Sequence, residues 1–353
     1  MIFICLVLFL LILFPILEYS RSRILHVCLI LIYAFVFSLR SDSVPDTIAY
    51  KEMYLGYYGS DTIESGYLWL CSVFREWGFS FREFLFIWIF ACLIIWRYCT
   101  VRITKSNDLF VALMLFMSYM GIYNYGIILR AATALTIIFI ALTYYLNSNS
   151  KYRILVYWTL CWGAIQFHQT SIVFFVMPFV CNHVYSSKLL YSAIVCSMLL
   201  TFSSGIFINL RELLSDAFER VNTFGYLTRF NSYLDRSEDI QTFSFSLTQL
   251  KFCLFAAFFV YGRNYLWKDG RVVDGFNFFL NLYIVGVLLY ALFSYMIAGV
   301  RIAYMALFFE FILEAIIIFH LPRQSLKVAV FVVAVLVNYT LLFAHVPKLI
   351  NYI

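Results

Sequence analysis

Charged residues are scarce in this chain. They make up 12% of its 353 residues, whereas hydrophobic residues make up 64%. A soluble globular protein needs far more polar surface, so the composition excludes that class. Apolar runs of roughly 20 residues, the length that spans a bilayer as a helix, recur along the sequence. The sequence therefore predicts an integral membrane protein, and the formal net charge of +6 gives no sign of nucleic-acid binding.

Paired cysteines and metal-binding motifs are also missing. The nine cysteines are scattered, form no Cys-x-x-Cys, and lie almost entirely in or beside apolar runs. We interpret them as small buried hydrophobic residues rather than as disulfides or metal ligands. The sequence has no Asp-x-Asp and no His-rich cluster either, so we expect neither a metal nor another cofactor.

The apolar runs predict an all-α, polytopic integral membrane protein with about 11–12 transmembrane helices. We find no internal repeat, and we predict a single membrane domain over 1–353. The two spans that flank His168 are short, and they could instead form a broken, re-entrant pair. The predicted spans are 2–17, 24–39, 81–101, 109–124, 127–146, 154–167, 170–182, 189–208, 247–262, 277–297, 302–320 and 328–345.

Lysine and arginine residues predict the orientation, because cytoplasmic loops are enriched in them. Each odd-numbered span ends in a basic turn, such as Lys151 and Arg153, while acidic residues gather on the other side. Two long segments, 40–80 and 209–246, then face the non-cytoplasmic side. The second opens with an amphipathic stretch, 210–221, that would lie on the membrane surface or cap a cavity.

The first outer segment carries a carboxylate beside aromatic residues. Asp46, Tyr50 and Tyr54 follow one another at i, i+4 and i+8, so a helix with Pro45 in its first turn places them on one face. Carboxylates accept hydrogen bonds from sugar hydroxyls and aromatic rings pack on the apolar faces of pyranoses, so this face could bind a glycan. Alternatively, the carboxylate is stabilised by the helix dipole and the tyrosines belong to an interfacial belt.

Two arginines lie at the outer ends of predicted spans. Arg130 opens an apolar run rich in small residues, and Arg301 has a similar position with Tyr304 less than one turn deeper. A guanidinium group matches phosphate oxygens bidentately, so both arginines could bind a phosphate group. Contact with lipid head groups is the alternative.

His168 lies between two apolar runs and has polar neighbours that could set its tautomer. Imidazole is the side chain that changes charge near neutral pH without a shifted pKa, so His168 is a candidate general base or phosphate partner. A structural role at the membrane interface is the alternative. The neighbours are Gln166, Gln169, Thr170 and Ser171.

Glu310 and Glu314 lie within a predicted span, on one helix face. An acid inside the membrane needs a proton, a buried partner or an aqueous path. We favour a structural hydrogen bond to a Tyr or Asn of another helix over a proton relay.

In their order along the chain, these residues resemble the EpsG-like branch of the O-antigen polymerases (Wzy type). That family shows an outer Arg…Asp…Tyr…Tyr segment, a Glu-x-Gly-Tyr, an arginine that opens a small-residue span, a histidine followed by a small hydroxyl residue, and a late Arg…Tyr. The corresponding residues in this chain are Arg40, Asp46, Tyr50, Tyr54, Glu64, Gly66, Tyr67, Arg130, His168, Ser171, Arg301 and Tyr304.

The resemblance implies a glycosyltransferase-type polysaccharide polymerase of the bacterial inner membrane, with its site facing the periplasm. It would transfer a growing undecaprenyl-diphosphate-linked glycan onto an undecaprenyl-diphosphate-linked repeat unit. The lipid diphosphate would be the leaving group. Implied partners are a polysaccharide co-polymerase that controls chain length, a flippase and membrane lipids, but no nucleic acid.

Roles for the individual residues follow from this resemblance and from their chemistry. His168 is our first choice of general base and Asp46 the second. Arg130 and Arg301 would neutralise the leaving group. The catalytic residues are then His168, Arg130, Arg301 and Asp46. The substrate-binding residues are Arg40, Tyr50, Tyr54, Glu64, Tyr67 and Tyr304.

Three other functions stay open. A flippase or transporter for lipid-linked oligosaccharide could use the same arginines, but it should expose its site to both faces in turn. A membrane acyltransferase would need a site that a cytoplasmic acyl donor can reach. A glycosyltransferase that uses a polyprenyl-phosphate sugar should carry paired acids in its first outer loop, where Asp42 and Asp46 lie four residues apart.

Overall fold

The structure, a computed structural model, describes residues 23–58, 63–105, 109–202, 246–268, 275–293 and 297–345. Within these ranges the chain is almost entirely helical and contains no β-strand. The predicted all-α class is therefore confirmed.

The helices follow the apolar runs of the sequence. Two helical segments of the described residues are not α-helices: Ile122–Ile127 forms a π-helix and Gln169–Phe175 a 3₁₀-helix. The α-helices are α1 Arg23–Ser38, α2 Thr47–Leu55, α3 Ser65–Glu76, α4 Phe81–Thr104, α5 Phe110–Ser118, α6 Leu129–Asn147, α7 Arg153–Ile165, α8 Met177–Cys181, α9 Ser187–Phe202, α10 Leu247–Lys268, α11 Phe276–Phe293, α12 Ile297–Leu307, α13 Glu310–His320 and α14 Gln324–His345.

Several of these helices are long and apolar enough to cross a membrane. The five candidate spans are Phe81–Thr104, Leu129–Asn147, Phe276–Phe293, Gly299–His320 and Gln324–Leu342. Shorter apolar helices occupy Ile24–Ser38, Arg153–Ile165 and Ser187–Leu200. The protein is thus an all-α polytopic membrane protein. The total number of spans and their orientation stay predictions.

Two predicted features lie outside the described residues, namely the first span over 2–17 and the amphipathic stretch in 209–246. The two short spans around His168 prove to be interrupted. α7 ends at Ile165, the backbone turns at Gln166–His168, and the chain continues as a short 3₁₀-helix before α8. The predicted break around His168 is therefore confirmed, and a re-entrant path through the membrane stays a prediction.

The predicted outer segment, 40–80, contains two short helices within its described residues, α2 and α3. α2 begins at Thr47, after Asp46, whose φ of 63° is left-handed. The prediction that Pro45 lies in the first helical turn is therefore wrong, because the helix starts only after Asp46, which itself is not helical. α2 ends at Leu55. The next residue, Gly56, has a φ of 88°, and its backbone N–H donates to the Met53 carbonyl. Such a φ favours glycine.

A capping box fixes the start of α4. The Ser80 hydroxyl accepts a bond from the Glu83 N–H, and the Glu83 carboxylate accepts one of 2.7 Å from the Ser80 N–H. These hydrogen bonds satisfy backbone N–H groups that have no partner within the helix at its first turn. The outer segment therefore ends at a defined residue where the apolar run begins.

The chain divides into two compact units, and the prediction of a single domain over 1–353 stays a prediction. The first unit comprises Met1–Phe175, Val273–Gly275 and Glu314–Ile353. Within it α4 packs on α1 and α6, α6 on α7, and α14 on α5. The Trp88 indole donates to the Thr133 hydroxyl across the α4–α6 contact, at 2.9 Å.

The second unit comprises Val176–Val272 and Phe276–Leu313. In it α11 packs against α9, α10 and α12. Gly286 of α11 lets α12 approach closely, because a Cβ at this position would lie 2.9 Å from the Leu307 Cγ. Small residues serve this purpose between membrane helices.

The two intramembrane acids have partners of the predicted kind. The Tyr283 hydroxyl donates to Glu310 at 2.7 Å in the second unit. The Asn338 amide lies 3.5 Å from Glu314 in the first unit. The structural hydrogen bonds to Tyr and Asn are thus confirmed. Glu310 additionally forms an ion pair with Lys251, which the sequence analysis did not predict.

Candidate active site

Most of the predicted site residues converge in the first unit, around the outer segment. The convergence brings together the end of α1, both short outer helices, the start of α6 and the turn after α7. The residues gathered there are Arg40, Asp46, Tyr50, Glu64, Tyr67, Arg130 and His168.

Glu64, Arg130 and His168 form the centre of this site, and we call them the Glu64 cluster. The Glu64 Oε2 accepts a hydrogen bond from the Arg130 Nη1. Its other oxygen, Oε1, lies 3.6 Å from the His168 Nδ1. The Glu64 side chain is only 7% exposed, against 21% for Arg130 and 14% for His168. One buried carboxylate therefore faces two side chains that remain partly accessible.

The carboxylate of Glu64 stays ionised. Burial by itself would raise its pKa, but the nearby His168 and the charge of Arg130 outweigh burial and lower the pKa to about 2. Opposite charges and hydrogen bonds to the charged form act in this direction. At neutral pH the cluster therefore contains a fixed negative charge between a guanidinium cation and an imidazole.

Arg130 is the second residue of α6, a position where a cation is unfavourable. The amino end of a helix carries a partial positive charge, which repels a guanidinium group. The negative charge of Glu64 offsets this repulsion. Arg130 is also electrostatically coupled to Tyr50.

Arg40 supplies a second guanidinium group to the site. Its Nη1 donates to the Gly126 carbonyl at 3.2 Å, and its Cζ lies 5.3 Å from the centre of the Tyr50 ring. Burial lowers the pKa of Arg40, and the nearby Asp46 and tyrosines act against that shift. Among the residues the structure describes, no acceptor lies within hydrogen-bonding distance of its Nε or Nη2.

Tyr50 and Tyr67 form the aromatic part of the site. Their ring centres lie 5.7 Å apart, and both side chains are buried. Burial raises the pKa of each hydroxyl above its ordinary value, so both remain neutral donors at physiological pH. Asp46, at the edge of the site, is exposed and electrostatically coupled to Arg40 and Tyr50.

Tyr54 lies on the same helix as Tyr50 but has different neighbours. Its hydroxyl donates to the Phe79 carbonyl, and its ring stacks on Phe84 with centres 5.2 Å apart. The Arg75 guanidinium donates to the Tyr54 carbonyl. These contacts tie α2 to the start of α4, and the predicted role of Tyr54 in substrate binding stays a prediction.

Arg301 and Tyr304 belong to α12, in the second unit. Tyr304 is buried edge-on against Phe252 and Tyr290, with ring centres about 6 Å apart. Arg301 is partly exposed. Its predicted convergence with Arg130 and His168 stays a prediction.

Sequence reasoning missed the connection between Glu64 and His168. We assigned Glu64 to sugar binding and expected polar neighbours in the chain to set the tautomer of His168. The structure directs the Glu64 carboxylate at the imidazole, while Ser171 donates to the His168 backbone carbonyl at 2.6 Å. The sequence held one signal for the role of Glu64. An arginine at a membrane boundary is costly without a negatively charged partner, so Arg130 predicts a nearby carboxylate.

In the part of the chain that the structure describes, no three His, Cys, Asp or Glu side chains lie together as a metal site would require. Metal independence stays a prediction. The chemistry that the site does offer is anion binding by guanidinium groups, proton transfer by an imidazole beside a carboxylate, and hydrogen bonding by tyrosines.

Fold and site define a helical, polytopic membrane protein with a charged, partly buried cluster beside its first outer segment. The chain belongs to the EpsG family, whose model matches residues 23–352. Membership fits a role like that of a polysaccharide polymerase and lipid-linked polysaccharide substrates. No curated protein and no solved structure matches the chain.

Proposed function

We propose that the protein is a polymerase of O-antigen or a related surface polysaccharide. It transfers a growing undecaprenyl-diphosphate-linked glycan onto an undecaprenyl-diphosphate-linked repeat unit. The observation that carries this proposal is the Glu64 cluster with Arg40 beside it, since the reaction needs a base for a sugar hydroxyl and cations for a diphosphate. Family membership supports the same class of reaction.

In the proposed reaction, a hydroxyl of the incoming repeat unit attacks the anomeric carbon of the polymer. The new glycosidic bond forms, the bond to the lipid diphosphate breaks, and the hydroxyl proton passes to His168. Asp46, exposed at the edge of the site, is the second candidate for this proton. Guanidinium groups stabilise the charge that develops on the diphosphate, a kind of stabilisation that is often the largest catalytic effect.

Arg130 and Arg301 are the proposed catalytic arginines. Arg40, Tyr50, Tyr54, Glu64, Tyr67 and Tyr304 are the proposed substrate-binding residues. The two nitrogens of Arg40 that lack an acceptor among the described residues, Nε and Nη2, support a role in binding an anionic substrate. The reaction is proposed to need no metal.

The proposed location is the bacterial inner membrane, with the site on the periplasmic face. The lipid-linked substrates reach this face through a flippase, and a polysaccharide co-polymerase limits chain length. The basic turns predicted on the opposite side of the membrane support this orientation.

Single substitutions to alanine at Arg130, His168 and Arg301 test the proposal. We expect a surface polysaccharide of one capped repeat unit in each case, with the protein inserted at normal levels, instead of a ladder. Arg82→Ala is the matched control, because Arg82 is an exposed arginine in the first turn of α4, directly after the segment 40–80. Its ladder should equal that of the wild type.

Wild-type ladders in all three variants would contradict the catalytic assignment. Substrate that accumulates on the cytoplasmic side would favour the flippase instead. In reconstituted vesicles, polymerisation should survive EDTA. A loss of activity that a divalent cation restores would contradict metal independence.

A further inference from the structure

The turn that carries Glu64 is docked on the turn that carries His168. The Gly66 N–H donates to the Gln166 carbonyl at 2.9 Å, and the Ser65 hydroxyl donates to the Gln166 side-chain oxygen at 3.0 Å. Two chain segments about a hundred residues apart in sequence are thus joined by a backbone and a side-chain hydrogen bond. We call this contact the Gly66–Gln166 dock.

Glycine is required at the dock because the two backbones approach so closely. A Cβ on residue 66 would lie 2.7 Å from the Gln166 carbonyl oxygen and 2.9 Å from the Gln166 Cβ. The nearest of these atoms belongs to the backbone, which cannot rotate away as a flexible side chain would. Any larger residue would therefore push the Glu64 turn away from His168.

The dock explains why the Glu64 carboxylate reaches two partners at once. Glu64 lies two residues before Gly66, and His168 two residues after Gln166. Each Glu64 oxygen faces a different side chain, Oε2 the Arg130 guanidinium and Oε1 the His168 Nδ1. A carboxylate with both oxygens so engaged and 7% exposure is poorly placed to bind sugar hydroxyls as its main task.

We propose that Glu64 is a positioning residue, which acts on the reaction through His168 rather than by binding sugar. This inference rests on the proposed function and changes the role of Glu64 within it. With its proton on Nδ1, facing Glu64, the imidazole leaves Nε2 able to accept the proton of the acceptor hydroxyl. The resulting imidazolium is stabilised by the Glu64 charge, and the carboxylate itself exchanges no proton.

A double-mutant cycle in reconstituted vesicles tests whether Glu64 acts through His168. The variants are Glu64→Gln, His168→Ala and the double variant, each assayed by the rate of polymer formation. We expect Glu64→Gln to slow the reaction about 100-fold, in the range of a general-base contribution. The double variant should then be no slower than His168→Ala alone.

Independent effects would overturn the proposal. If the losses of the two single variants multiply in the double variant, Glu64 contributes on its own, as a sugar-binding residue would. A Glu64→Gln variant with the wild-type rate would overturn it as well. Glu64→Asp keeps the charge on a shorter side chain, so its rate should lie between those of the wild type and Glu64→Gln.

A pair of glycine substitutions tests the dock itself. Gly66→Ala should slow polymer formation about as much as Glu64→Gln does. Gly163→Ala is the matched control, because an added Cβ there meets no atom within 4 Å. A Gly66→Ala variant with the rate of the Gly163→Ala variant would show that the dock does not position Glu64.

The tautomer of His168 gives a readout that does not depend on activity. The chain has five histidines, so nitrogen NMR of histidine-labelled protein in detergent can identify His168 by the signal that His168→Ala removes. We expect the wild type to carry the proton on Nδ1 and Glu64→Gln to show a mixture of tautomers. An unchanged signal in Glu64→Gln would overturn the proposal.

The two experiments separate the possible failures. If the protein is no polymerase, the wild type forms no polymer, and yet the tautomer of His168 still responds to Glu64. If Glu64 does not position His168, the wild type forms polymer, and the tautomer is the same with and without the carboxylate.

Discussion

At the scale of single residues, the ionisation of Glu64 links the site to the stability of the fold. The pKa of this carboxyl is about 2 in the folded protein, below its ordinary value of 4.5. A group whose pKa falls on folding stabilises the folded state at pH values above its unfolded pKa. The contribution is therefore complete above about pH 4.5 and disappears as the pH falls towards 2.

We expect Glu64→Gln to lower the free energy of unfolding by about 3 kcal/mol at pH 7, because it leaves the Arg130 charge without its buried counter-charge. The difference between wild type and variant should stay constant down to about pH 4.5 and shrink below it. Thermal unfolding in detergent over a series of pH values measures this difference.

Glu52→Gln is the control for this measurement. Glu52 lies in the same outer segment, where it accepts a hydrogen bond from the exposed Tyr58. An exposed pair of this kind contributes little, so the variant should unfold like the wild type at pH 7. If the effect of Glu64→Gln did not shrink between pH 4.5 and 3, its origin would not be the ionised carboxylate.

The residue types of the site could be predicted from the sequence, but their pairing could not. Arg130 and His168 stood out because ionisable groups are costly beside apolar runs. Glu64 stood out as part of a Glu-x-Gly-Tyr, with no local sign of its partners. The pairing of Glu64 with His168 depends on the Gly66–Gln166 dock, which joins distant segments through backbone atoms, and a backbone contact leaves no pattern of side chains to detect.

At the scale of helices, α10, α11 and α13 are joined by buried polar side chains. Lys251 of α10 forms an ion pair with Glu310, the first residue of α13, and Tyr283 of α11 donates to the same carboxylate. All three side chains are almost fully buried. In a bilayer, such groups hold helices in register because every other arrangement leaves a charge without a partner.

We expect Lys251→Met to lower the free energy of unfolding by about 3–5 kcal/mol, because the Glu310 charge stays behind unpaired. The double variant Lys251→Met/Glu310→Leu should recover most of that loss, since apolar side chains of similar volume replace the pair. Thermal unfolding in detergent measures both. A double variant as unstable as Lys251→Met would mean that the ion pair is not the origin of the loss.

The sequence predicted the described helices within a few residues, but of their interruptions it predicted only the one around His168. The predicted span over 109–124 is α5 followed by a π-helix, and the span over 302–320 is α12 followed by α13. Hydrophobicity reports only whether a segment can lie in a membrane. Interruptions depend instead on local hydrogen bonds, such as the one of 2.8 Å from the Asn124 amide to the Met120 carbonyl.

At the scale of the whole molecule, the proposed function depends on which side of the membrane the Glu64 cluster faces. The alternation of basic turns predicts the non-cytoplasmic side. The exposed Tyr57 of the first outer segment and the exposed Tyr152 between α6 and α7 should then lie on opposite sides.

Labelling of single cysteines with a membrane-impermeant maleimide tests this orientation. Tyr57→Cys should react in intact cells whose outer membrane is permeable, and Tyr152→Cys only after the inner membrane is opened. The exposed Cys28 and Cys196 must first be replaced, and this background without added cysteines is the control. The reverse pattern would put the cluster in the cytosol and end the proposed function.

The order of synthesis gives the pairing of Glu64 with Arg130 a consequence for membrane insertion. A ribosome makes Glu64 before Arg130, so the carboxylate already exists when α6 leaves the translocon. We expect the guanidinium then to enter the lipid boundary as half of a neutral pair, at a lower cost than a lone cation. His168 emerges later, and so the same carboxylate that eases the passage of α6 is in place to receive the imidazole when α7 has inserted.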